Sequence, residues 1–191
     1  PLLMGWAGNA GEDDQPSLKN AGWVHTLTVP RELTVRNGRV IQRPALAWGE
    51  TSERKLVPEG PLVDIEELRG SRSFRLEVSV DDAPGAAEGD WGVRSGGEQA
   101  HVDIELRGGQ LSVDRSTTRY PHGGRRVDTL PHGAMPRLDI LHDRSVTEIY
   151  VGDGDLAFTL RSYMDPKDAV TSLLAEAETG RSFNVRAQRL D

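Results

Sequence analysis

Closely spaced carboxyl groups are the first candidates for chemistry in this chain. Among them are the pairs Asp13/Asp14, Asp81/Asp82 and Asp153/Asp155. A carboxylate nucleophile facing a protonated carboxylic acid, about 5 to 5.5 Å away, is the apparatus for cleaving an acetal with retention. All three pairs, however, sit among turn-forming residues. Asp is favoured there because its short side chain hydrogen-bonds the local backbone and stays solvated. Turn and surface roles are therefore the expectation for each, and no residue is assigned as catalytic.

The five histidines, His25, His101, His122, His132 and His142, show neither the i, i+2 nor the i, i+4 spacing of common metal motifs. Pro121-His122-Gly123 and Pro131-His132-Gly133 repeat a tripeptide ten residues apart, but Pro and Gly around a polar residue form an ordinary loop signal. No metal site is expected. There is no Gly-x-Ser-x-Gly elbow, phosphate loop or dinucleotide fingerprint, so no cofactor is implied either. Aromatic rings offer another route to sugar chemistry, because an indole face stacks on the C–H face of a sugar ring. Trp6, Trp23, Trp48 and Trp91 are the four indoles, and burial in a core is the default for each.

The elements that would position these groups read as strands. Residues 73–80 alternate Phe74, Leu76, Val78 and Val80 with Ser73, Arg75, Glu77 and Ser79, which predicts one buried and one wet face. Further strands are predicted at 92–94, 100–106, 110–114, 137–142, 146–151, 156–161, 169–177 and 182–190. Near the start, short runs at 1–6, 23–29, 33–35 and 40–41 also read as strands. Asn37-Gly38 between two such runs predicts a two-residue type I′ hairpin, which needs positive φ at both positions. Residues 8–20 and 117–133 read as loops, as do 81–89. Leu62, Ile65 and Leu68, three apart, predict a short helix within residues 58–69, ended by Gly70. Strands recurring every eight to twelve residues indicate an all-β sandwich or barrel.

Composition agrees. The chain has 191 residues with 36% apolar side chains, 21 glycines and 11 prolines, enough for one main globular domain. A net charge of -7 argues against nucleic acid or anionic membrane as partners, since both call for clustered Lys and Arg. The absence of cysteine suits a reducing compartment, and a cytoplasmic location is the expectation. Because the sequence starts at Pro1, inside an apolar stretch, the start is read as a cut.

One stretch carries more specific information. Pro136-Arg137-Leu138-Asp139-Ile140-Leu141-His142-Asp143-Arg144-Ser145-Val146-Thr147-Glu148-Ile149-Tyr150-Val151-Gly152-Asp153-Gly154 joins two alternating strands and an Asp-Gly turn. Taken with Gly5-Trp6-Ala7-Gly8-Asn9, Pro16-Ser17, Trp23-Val24-His25, Pro30-Arg31-Glu32-Leu33 and Leu111-Ser112-Val113-Asp114-Arg115-Ser116, it resembles the C-terminal part of glycoside hydrolase family 32. That family comprises the β-fructofuranosidases, invertases, levanases and inulinases. The resemblance implies the last strands of a five-bladed β-propeller over residues 1–33, followed by an antiparallel β-sandwich of two sheets over 34–191.

It also implies a division of labour. The family's Asn-Asp-Pro-Asn-Gly, Arg-Asp-Pro and Glu-Cys motifs, which carry its catalytic groups, are missing from this sequence. The segment should be inert alone and should partner the N-terminal propeller portion of a retaining β-fructofuranosidase, acting on sucrose or short fructans. In the family the first Trp lines the pocket for the terminal fructosyl unit, which makes Trp6 the candidate substrate-binding residue and Asn9 a second. Val24 and His25 depart from the family's usual Arg and Gly after the second Trp, so Trp23 is read as structural. Two other readings remain open: a free-standing carbohydrate-binding sandwich with Trp91 or Tyr120 as the platform, and a structural domain for homo-oligomer contact.

Overall fold

A computed structural model describes residues 1–8, 15–81, 90–132, 136–163, 165, 167, 169–176 and 181–191. In chain order the elements are β1 (Leu2–Leu3), β2 (Trp6–Ala7), helix α1 (Pro16–Ala21), β3 (Thr26–Leu27), β4 (Arg31–Arg36) and β5 (Arg39–Pro44). Then come β6 (Ser52–Leu56), β7 (Leu62–Asp64), a 3-10 turn at Glu66–Leu68, β8 (Ser73–Val80), β9 (Trp91–Gly96), β10 (His101–Arg107), β11 (Gln110–Asp114) and β12 (Arg125–Thr129). The last five are β13 (Arg137–Asp143), β14 (Val146–Val151), β15 (Leu156–Arg161), β16 (Thr171–Ala175) and β17 (Phe183–Arg189).

Two six-stranded antiparallel sheets form the sandwich, in the orders β12-β11-β10-β9-β16-β7 and β15-β14-β13-β8-β17-β6. Alternation decides which side chains fill it. In β8, Phe74, Leu76, Val78 and Val80 point between the sheets and meet Val93, Ile104, Leu173, Ile140 and Ile149 in one core. Trp91 stands on Phe183, ring centroids 5.4 Å apart, and so bridges the two sheets. Emptying a ring of this size from a core costs about 3 to 5 kcal/mol.

The leading residues form two small sheets outside this sandwich, β1-β4-β5 and β2-β3. The β4–β5 hairpin turns as expected, with φ of 51° at Asn37 and 75° at Gly38. The domain boundary drawn between residues 33 and 34 lies inside β4, which pairs with β1 on one side and β5 on the other.

Four local expectations need correction. Residues 8–20 include the start of α1: Pro16 occupies the first helical turn, and Gly22, left-handed at φ 72°, closes the helix by donating its N–H to Leu18 O. Pro at the first turn and Gly just past the end are the two signals that the turn-rich composition masked. Residues 58–69 form no α-helix. Leu62–Asp64 pairs with β16 as an edge strand, and the 3-10 turn then buries Ile65 and Leu68; three-residue spacing suits a 3-10 repeat. Residues 117–133 contain β12, whose side chains are all exposed and so show no alternation. Its run of charge is what protects an edge strand from further pairing. Finally, β8 has no fully wet face, since Ser73 and Arg75 are buried on its outer side. The short strand β6 carries no alternation that would announce it.

Candidate functional site

Trp6 ends up where a ring can be reached. β2 pairs with β3, Trp6 opposite Leu27, and the indole remains 54% exposed. Its edge meets His25 at 4.6 Å between centroids and 77° between planes. Gly8 makes that approach feasible, since a methyl group there would collide with the His25 ring. Beside Trp6 runs a groove of about 330 Å³ whose other wall is the sandwich, with Arg115, His122, Arg126 and Phe158 among its lining. Asn9, the other candidate, lies outside the described residues, as do Asp13, Asp14 and Asp82.

Two buried guanidinium groups hold this leading segment on the outer face of β14 and β15. The first enters from the segment. Arg31 donates from Nε (3.1 Å) and Nη2 (2.7 Å) to Glu148 Oε2, and Nη2 also reaches Thr159 Oγ1. The same carboxylate accepts the Val29 N–H at 2.7 Å and the Tyr150 hydroxyl at 2.8 Å. Four donors thus converge on one side chain that is 2% exposed, which is how a buried carboxylate is made tolerable. Burial, with the neighbouring Glu148 carboxylate, pushes the Tyr150 phenol up from its ordinary value.

The second enters from the sandwich. Arg161, at the end of β15, donates from Nη1 to Val24 O at 3.1 Å and more loosely to Ala7 O at 3.4 Å. Its Nη2 bonds Ser145 Oγ at 3.2 Å, Ser17 Oγ at 3.5 Å and the Tyr163 hydroxyl. The guanidinium also lies 5.0 Å from the Trp23 ring. Desolvation lowers its pKa from the ordinary guanidinium range. Neither Glu148 nor Arg161 stands out in the sequence, because a charged residue at an outward position of an alternating strand reads as solvated. The only hint is their place in long apolar runs.

The carboxylates show no acid–base pair among the described residues. Asp153 and Asp155 hold Arg36, at 3.0 and 2.9 Å, and the hydrogen bond from Arg36 holds Asp153 below the usual carboxylate range. Asp81 is likewise held low, by Lys55. Glu66, Asp114 and Asp191 are displaced downward too. A general acid for glycoside cleavage needs the opposite displacement. No three His, Cys, Asp or Glu side chains gather to hold a metal among the described residues.

Trp48, Trp91, Tyr120 and His142 pack against other protein groups. Trp48 is clasped between Arg75 and Arg186, whose guanidinium carbons lie 4.1 and 4.4 Å from its ring. Trp91 and Tyr120, proposed as a sugar platform under the free-standing reading, are each 3% exposed and present no face to a ligand. Tyr120 instead packs edge-on against Tyr163 at 5.7 Å. His142 faces the core between Phe74 and Thr147, and burial lowers its pKa to about 4.

Comparison with known proteins bears on the whole arrangement. The profile described as "Glycosyl hydrolases family 32 C terminal" matches residues 49–188. The sucrose-6-phosphate hydrolase of Escherichia coli is 26% identical over 184 residues, covering 91% of this chain and 36% of that protein. The raffinose invertase of Escherichia coli is 30% identical over 177 residues, with 91% and 36% covered. The structure of sucrose-6-phosphate hydrolase from Lactobacillus gasseri superimposes with a TM-score of 0.77 at 16% identity, covering all of this chain and 38% of that one. The chain therefore spans about a third of the length of the curated relatives it matches.

Proposed function

Because the chain belongs to glycoside hydrolase family 32, as that family's C-terminal domain, we propose that it is the supporting part of a retaining β-fructofuranosidase acting on sucrose, its phosphate ester or short fructans. The chemistry is assigned to a propeller portion that supplies the nucleophile and the acid. The 191-residue chain is inactive alone, since the Asp81, Asp153 and Asp155 carboxylates are engaged by lysine, hydroxyl or arginine donors and no acid–base pair of carboxyl groups is seen among the described residues.

In this reading the sandwich carries the leading segment, and the leading segment carries one wall of the sugar pocket. Trp6 stacks on the C–H face of the terminal fructosyl ring, and Asn9 is the second substrate-binding candidate. The observation that carries the proposal is the exposed apolar surface of the leading segment: Leu2, Leu3, Met4, Trp6 and Leu27 are all uncovered. An exposed cluster of this kind signals a partner surface, and the remaining propeller blades are the partner assigned to it. A cytoplasmic location completes the reading, as a cysteine-free chain asks nothing of an oxidising compartment.

Recombination tests it. A separately produced N-terminal portion, mixed with these 191 residues, should hydrolyse sucrose or sucrose phosphate with retention, while neither part does so alone. Two folded halves that associate and yet release no fructose from either sugar would refute the assignment.

A further inference from the structure

Arg161 lies inside the protein with no anionic partner among the described residues. It is 5% exposed, and no carboxylate among the described residues forms an ion pair with it. Burying a guanidinium without an ion pair is costly, and among the described residues the Nε of Arg161 has no hydrogen-bond partner. An apolar side chain would fill the same space at the edge of β15 without that cost. What an apolar side chain cannot do is bond several acceptors at once in one fixed plane, which is the property that distinguishes arginine from lysine as well.

The acceptors show what is being fixed. Ala7 follows Trp6 in the chain, and Val24 precedes His25. Nη1 of Arg161 reaches both carbonyls, so one nitrogen spans β2 and the approach to β3 at the level where Trp6 meets His25. Nη2 ties the same point to Ser17 of α1 and to Ser145 at the turn between β13 and β14. Tyr163, within reach of both Arg161 and Ser17 Oγ (2.9 Å), closes the network. The Trp6–His25 pair is therefore held by backbone atoms on either side of it, and those are held by one sandwich side chain.

We infer that Arg161 is a positioning residue for the sugar site: the sandwich sets the pose of the Trp6 indole through the carbonyls of Ala7 and Val24, without touching the sugar. This rests on the reading that Trp6 contacts the fructosyl ring. It gives the C-terminal domain a defined part in affinity, beyond general support of the fold.

Two measurements test it, and they fail separately. In the 191-residue chain labelled with 5-fluorotryptophan, the four indoles give four fluorine resonances, assigned by Trp→Phe replacement. In Arg161→Met the Trp6 resonance should shift or broaden, Trp23 should move because it touches Arg161 directly, and Trp48 and Trp91 should stay. Trp91, in the core, reports whether the sandwich is still folded. If Arg161→Met loses the Trp91 signal, Arg161→Lys takes its place; a single ammonium cannot reproduce the fork, so Trp6 should again move. A Trp6 resonance unchanged in a folded variant overturns the inference.

In the recombined or full-length hydrolase, Arg161→Met should lower kcat/KM roughly 10- to 100-fold, as displacement of a binding group does, mainly through KM. In the Trp6→Ala background the same substitution should add less than about 2-fold, because the group it positions is gone. Effects that multiply would overturn the inference. Were Trp6→Ala itself without effect on hydrolysis, the sugar-contact reading would fall, and the fluorine spectra would still decide whether Arg161 sets the Trp6 strand.

Discussion

Glu148→Gln is the sharpest perturbation of the way the leading segment is attached. The amide keeps the shape of the carboxylate and can still accept from the Val29 N–H. It removes the charge that answers Arg31, whose Nε and Nη2 sit 3.1 and 2.7 Å from Oε2, and leaves that guanidinium 7% exposed. Breaking one side of a buried ion pair costs about 3 to 5 kcal/mol. With a urea slope of about 2 to 3 kcal/mol per molar, the unfolding midpoint should fall by about 1 to 2.5 M. Arg31→Met should cost a similar amount, because it strands the carboxylate with only two neutral donors. The double variant Arg31→Met/Glu148→Gln should lose much less than the sum, with a coupling of about 2 kcal/mol or more, since replacing both members of such a pair can be nearly neutral. Exchange of the Val29 amide proton, which donates to Glu148 at 2.7 Å, gives a local readout of the same clasp. Single variants whose losses add within about 0.5 kcal/mol would refute the claim that the pair acts as a unit.

Two further outcomes follow from the fold. His142 is buried against Phe74 and has its pKa lowered to about 4, by desolvation first and by Arg72 in the opposite sense to Asp143; its unfolded value is near 6.5. Between those values the unfolded chain takes up the proton and the folded chain does not. Stability is therefore complete above pH 6.5, falls as the pH drops, and loses about 2 kcal/mol by pH 5. His142→Gln, which can still bond the Thr147 hydroxyl, should reduce this part of the loss between pH 7 and 5 in urea titrations; equal losses in both proteins would assign it elsewhere. Gly38→Val should cost about 1 to 2 kcal/mol, because φ of 75° is strained for a branched L-residue, and thermal unfolding would register no change if the hairpin turn were not formed.

The sandwich is legible because its strands carry their own evidence. β8, β11, β14 and β15 fall at the expected residues, as period-two alternation and Gly-containing turns are local signals. What fails is either very short or covered by something distant. β6 and β12 show few apolar residues to count, and the helix α1 is six residues long. β14 reads as half-wet from its alternation, yet all six of its residues are buried, because the leading segment lies across its outer face. The bonds that place it there join residues 117 and 154 positions apart. No window of sequence reports a contact at that range. Trp6 is singled out only through the family resemblance, and nothing in the pattern around it distinguishes an exposed indole from a buried one.

The two guanidinium clasps run in opposite directions, and that has a mechanical consequence. Arg31 reaches from the leading segment into the sandwich, where Glu148 meets it; Arg161 reaches from the sandwich into the leading segment, where carbonyls meet it. The register of β14 and β15 places Glu148 opposite Thr159 and Val146 opposite Arg161, so the clasps sit one outward step apart along the same strand pair. Together with Arg36 held by Asp153 and Asp155, the two separated clasps fix the rotation of the segment as well as its position. Apolar packing is non-directional and could hold the segment near the sandwich without fixing that angle. Forked donors and a four-donor carboxylate are directional, which is the reason to accept their desolvation cost at a place where, in the proposed reading, the Trp6 indole faces a sugar.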